Sequence, residues 1–116
     1  MIATKPTIGY SDFDKLDIRI GRVTAVEDFP KARKASFKLT IDFGPVLGLR
    51  QSSAQITARY SKEDLQGKLV AAVVNFPPKR IADFDSDVLV LGASDDDGAV
   101  ILLSPDRSLP LGSKVF

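Results

Sequence analysis

The chain has 116 residues, 44% of them hydrophobic and 27% charged, with a formal net charge of +1. That is the balance of one folded domain, and it excludes a disordered chain and a protein held to polyanions by bulk charge. Cysteine and histidine are both absent, which excludes disulfides, thiolate metal sites and cysteine nucleophiles, removes the commonest zinc ligand and general base, and makes a non-catalytic protein without metal or cofactor the expectation.

Residues 1–10 read as an N-terminal extension, broken by Pro6 and Gly9, with Ile2 and Ile8 as anchors; residues 11–116 read as a single domain. The extension has no apolar run of signal-peptide length, and no stretch approaches the roughly 20 apolar residues that span a bilayer. A cytoplasmic protein with no membrane insertion is expected. Ser11 with Asp14 predicts a short helix through about Leu16, with Phe13 and Leu16 facing inward. A long strand over about 17–28 follows, in which Ile18 and Ile20 keep one phase and Val23 and Ala25 the other, so a bulge or bend is expected at Gly21.

Phe37, Leu39, Ile41 and Phe43 alternate with Lys38, Thr40 and Asp42, which predicts a half-buried strand over about 36–43. A Gly44-Pro45 turn leads to a third strand through LGLRQSSAQI. Ser61, Glu63 and Asp64 before Leu65, stopped by Gly67, predict a second short helix. Strands over 69–76, 88–93 and 99–104 complete the chain, the first followed by a loop rich in proline and charge and the last two joined by an Asp97-Gly98 hairpin signal. Three strands, a helix and two or three more strands is the element order of an all-β, five-stranded Greek-key barrel, the OB-fold, with short helices and terminal extensions.

Three stretches carry candidate sites. Lys31, Arg33 and Lys34 gather on one turn, close in sequence to Arg19 and Arg22, and suit phosphates or an acidic partner; the alternative is a solvated hairpin tip. Gln51, Ser52 and Ser53 sit in a strand almost free of apolar residues, suited to hydrogen-bonding an extended ligand or to guarding an edge against aggregation. Phe76, Pro77 and Pro78 beside Lys79 and Arg80, with Phe84 eight residues on, form an apolar and cationic surface fit to stack on bases or grip a peptide; the alternative is a strand terminator. Asp83, Asp85 and Asp87 alternate and Asp95, Asp96 and Asp97 are consecutive, but neither set has the spacing of a calcium loop.

The runs Asp14 to Val23 and Phe29 to Lys34, with Asn75 and Leu91 to Ala93, resemble the tRNA-binding domain family. The strings Ile41 to Gly44, Gln51 to Thr57, Val74 to Pro78 and Val88 to Gly92 resemble, within it, the CsaA family of secretion chaperones. The resemblance implies a homodimer without catalysis that binds unfolded or export-bound preproteins, with the translocation ATPase SecA as a further partner; the stretches above then place peptide binding at Gln51, Ser52, Ser53, Phe76, Pro77, Pro78 and Phe84. The alternative it implies is a module for tRNA or structured RNA, using Arg19, Arg22, Lys31, Arg33, Lys34, Lys79, Arg80 and Ser86. Typical tRNA binders of the family carry Gly-x-x-Ser-x-Gly-Met where this chain has Ala82 to Val88. Only Ser86 fits, and aspartates beside a phosphate path repel phosphate.

Overall fold

The alternating stretch forms β2 (Phe37–Asp42), every second residue of which is buried. In the computed structural model, which describes residues 3–116, β2 lies between β1 (Ile18–Asp28) and β3 (Leu49–Ala54) in an antiparallel sheet ordered β3-β2-β1-β4-β7, with β4 at Leu69–Val73 and β7 at Leu89–Val90. The far edges nearly meet: the amides of Asp87 and Val88 both donate to the Gln51 carbonyl, and the Ser53 amide donates to Ser86 Oγ at 3.0 Å. The result is a nearly closed five-stranded barrel, as the element order predicted. Its interior is Val23, Leu39, Ile41, Phe43, Leu65, Val70 and their neighbours.

β1 serves both halves. Arg22 to Asp28 pair with β2 and Ile18 to Arg22 with β4. The register shift lies between Val23 and Ala25, so the bulge expected at Gly21 sits three residues later, at Thr24. The phase change has a different cause. Ile18 and Ile20 pack with Ala71 and Val73 in a second, smaller cluster, while Val23 enters the main core; both faces of β1 are covered, so apolar residues occupy both phases. Gly21 is required for close approach instead: a Cβ there would lie 2.6 Å from Ile41 Cγ2 and 2.8 Å from the Phe43 ring.

Among the described residues three single-turn helices punctuate the strands: α1 (Tyr10–Phe13), α2 (Gly44–Leu47) and α3 (Lys62–Leu65). α3 begins as predicted, with the Asp64 amide donating to Ser61 Oγ and the Ser61 amide donating to the Asp64 carboxylate. That reciprocal box satisfies two orphan donors. α1 differs: it starts one residue before Ser11, the Asp12 carboxylate takes the Gly9 amide, and Phe13 is exposed while Leu16 alone turns inward, onto the second cluster. Ile2 lies outside the described residues, and Ile8 is exposed. The Gly44-Pro45 turn closes into α2, with Pro45 in the first turn, where a missing amide costs nothing.

Beyond β4 the chain holds more strand than expected. The charged loop after Phe76 folds into a hairpin of β5 (Lys79–Ile81) and β6 (Phe84–Ser86), tied by Ile81↔Phe84 and Lys79↔Ser86 pairs. The predicted 88–93 strand splits at Leu91 into β7 and β8 (Gly92–Ser94), and β8 pairs with β9 (Val100–Leu102) across the Asp95–Gly98 turn. Arg59 donates to Asp95 at 2.9 Å and to Asp97 at 3.0 Å, pinning that turn to the barrel.

Candidate binding site

The β5–β6 hairpin folds over one open side of the barrel and creates two adjoining depressions. The first, of about 390 Å³, is an apolar groove walled by Phe76 and Pro77 on one side and by Ile56, Val88, Leu89 and Val100 on the others. Phe76 is 45% exposed. It stands three residues beyond the end of β4, which stops at Val73 and not at Phe76 as expected, and Pro77 and Pro78 after it offer no amide donors. Its backbone is held by Asn75, whose side chain accepts from the Asp17 amide at 2.9 Å and donates to the Lys15 carbonyl at 2.7 Å.

The second depression, of about 700 Å³, is cationic. Lys31, Arg33 and Lys34 from the β1–β2 loop face Lys79 and Arg80 of β5 across it. Folding thus gathers five residues that lie in two distant segments of sequence. Lys31 donates to Asp83 at 2.6 Å, clasping the loop to the hairpin tip, and Arg80 donates to Asp85 at 3.0 Å. The Lys31 hydrogen bond holds the Asp83 carboxyl below the usual carboxylate range. Arg33, Lys34 and Lys79 form no ion pair among the described residues.

Other expected site residues lie elsewhere. Arg19 is committed to Asp17, at 2.5 Å, and to the Gly112 carbonyl; Arg22 reaches the Gly67 carbonyl. Neither lines the cationic depression. Ser52 is fully buried, Gln51 spends its carbonyl closing the barrel, and Ser53 alone of that trio reaches both depressions. Ser86 is buried at the floor of the apolar groove.

Phe84 is 9% exposed, its ring edge-on to Phe29 with centroids 5.4 Å apart and Lys38 Nζ above both rings. It anchors the hairpin and does not line the groove. The alternating aspartates are spent singly: Asp83 on Lys31, Asp85 on Arg80, and Asp87 on the Gln51 amide. Sequence reasoning missed Ile56, Val88, Leu89 and Val100 as groove walls. They read as strand core, and Ile56 and Val88 are indeed buried there, with the exposed Leu89 and the partly buried Val100 beside them.

The family described as "Putative tRNA binding domain" matches residues 18–114. The chain belongs to that family. Within the tRNA-binding domain family its similarity is high to the crystal structure of the chaperone CsaA from Bacillus anthracis, at 53% identity and a TM-score of 0.90, over 96% of this chain and 100% of the other. The CsaA chaperone protein from Picrophilus torridus is similar at 53% identity and a TM-score of 0.89, over 95% and 100%. The resemblance to CsaA chaperones read from the QSSAQIT and VVNFPP strings is thereby shown. The methionine–tRNA ligase of Methanocaldococcus jannaschii is 39% identical over 93% of this chain, which spans 16% of that enzyme's length.

Proposed function

We propose that the protein is a non-catalytic chaperone of the CsaA kind, a cytoplasmic homodimer that holds unfolded or export-bound polypeptide in the groove beside Phe76, with SecA as a partner in export. The observation that carries this reading is an apolar groove left open to solvent and walled by the exposed Phe76 ring and the rigid Pro77. Such a surface receives extended chain without first rearranging, so little binding energy is lost to ordering the protein. Of the expected contacts, Phe76, Pro77 and Ser53 serve this role directly; Pro78 stiffens the rim, and Gln51, Ser52 and Phe84 shape the site from behind. Residues 11–116 form the binding domain, and residues 1–10 act as an arm toward the second copy.

Dimerisation is supported by a second apolar surface away from the groove. Ile8, Tyr10, Phe13 and Phe116 line one shallow depression, and Ile18, Leu103, Leu109 and Phe116 another. Tyr10 and Phe116 are 92% and 101% exposed, a large apolar cost for a chain of this size to leave in water. Light scattering at micromolar concentration is expected to return twice the mass of the chain, and a monomer there removes the dimer from the proposal.

The function is tested by adding the protein to a chemically unfolded client and following aggregation, wild type against Phe76→Ala. Wild type is expected to suppress aggregation and the variant to lose most of that effect with an unchanged melting temperature. A variant as active as wild type would reject the groove. A second reading, binding of tRNA or structured RNA, is favoured by the five cations around the second depression. Salt separates the two. RNA affinity falls steeply as counterions are released, whereas apolar capture changes little.

A further inference from the structure

The apolar groove and the cationic depression share a wall. Ser53, Gln55, Lys79 and Ile81 line both, so a chain lying along that wall passes from apolar to cationic surroundings without leaving the protein. The charge along this path is one-sided. The apolar groove has one carboxylate in its lining, Asp87, and that oxygen is already engaged by the Gln51 amide. No carboxylate lines the cationic depression among the described residues, and Arg33, Lys34 and Lys79 there have no ion-pair partner among them.

We propose that the preferred ligand of this surface is an extended polypeptide segment in which an apolar residue is followed within a few positions by acidic side chains. The apolar residue packs against Phe76 and Pro77, and the carboxylates reach Arg33, Lys34 and Lys79 across the shared wall. This rests on the polypeptide reading above and adds charge selection to it. A segment with lysine or arginine beside its apolar run meets like charge in the same place. Secretory signal sequences have that arrangement, a positive segment followed by an apolar one. The site therefore selects against them and in favour of acidic-flanked apolar stretches in the remainder of an export-bound chain.

The test uses the full chain and three fluorescein-labelled peptides of equal length and identical apolar centre, flanked by Glu, Gln or Lys, read by anisotropy. The Glu peptide is expected to bind about tenfold tighter than the Lys peptide, as two or three exposed ion pairs allow, with the Gln peptide between them. The spread is expected to collapse at about 1 M salt, where the screening length is about 3 Å. It is also expected to shrink to about threefold or less in an Arg33→Gln, Lys34→Gln variant, whose substitutions lie outside the apolar groove. Equal affinities, or preference for the Lys peptide, overturn charge selection and leave the polypeptide reading standing. Failure of all three peptides to bind overturns both readings, and a short RNA bound under those same conditions assigns the surface to RNA.

Discussion

Phe84→Ala and Phe76→Ala, eight positions apart, separate a structural ring from a binding ring. Phe84 is 9% exposed and edge-on to Phe29, and it closes the β5–β6 hairpin through its pairing with Ile81. Truncating a buried phenylalanine costs about 3–5 kcal/mol, and the lower end applies to a ring at the margin of the core. The aromatic pair adds about 1 kcal/mol. A destabilisation of about 3 kcal/mol is therefore expected from equilibrium urea unfolding, with Phe84→Leu recovering most of it. Phe76, at 45% exposed, has little burial to lose, and Phe76→Ala is expected to shift stability by less than about 1 kcal/mol while weakening client binding by about 1 kcal/mol or more. The reasoning is refuted if Phe84→Ala unfolds at the wild-type midpoint, or if Phe76→Ala is the variant that loses the fold.

Gly21→Ala places a methyl group against Ile41 and Phe43 and is expected to cost about 2–3 kcal/mol in the same unfolding assay. Ser61→Ala removes the cap of α3 and is expected to cost about 1 kcal/mol. Asp64, Asp83 and Asp95 are all held below the ordinary carboxylate range, Asp64 mainly by the Ser61 amide, Asp83 by Lys31 and Asp95 by Arg59. Their folded values lie under the unfolded one, so their stabilisation is present above about pH 4 and lost as pH falls through the folded values; melting temperature is expected to hold at neutral pH and drop below about pH 4. Asp83→Asn frees the Lys31 ammonium from its carboxylate, and RNA affinity measured at low salt is expected to rise, with no change if the cationic depression takes no part in binding.

The sequence disclosed what local periodicity and capping can encode. β2 and α3 were legible because strict alternation and a Ser-x-x-Asp box each reflect contacts made within a few residues. The charged stretch after Phe76 was read as loop because β5 and β6 are three residues each, too short for a period to register. Phe76 and Phe84 were both expected on the binding surface, and Phe84 departs from that for a related reason. Phe76 ends an apolar run and Phe84 stands among aspartates, but the hairpin turns Phe84 under and leaves Phe76 at the rim. The five cations of the depression were all legible by type; that Arg19 and Arg22 stand apart from them depends on how β1 crosses the barrel, which no local pattern records.

The double pairing of β1 also orders the events of folding. Its contacts with β2 run from Arg22↔Asp42 down to Asp28↔Phe37, a hairpin whose ends are close along the chain and whose closure costs little entropy. Its contacts with β4 join Ile18 to Val73, and that loop must be drawn in before the pairing repays it. The hairpin is therefore expected to be structured in the transition state, with Val26 and Leu39 giving high φ-values. Val73 gives low ones, and substitutions there speed unfolding more than they slow folding. Because the apolar groove is lined by Phe76, beyond β4, together with Ser53 and Ala54 of β3, it is among the last parts of the molecule to exist, and this surface forms only once the protein's own chain is already committed.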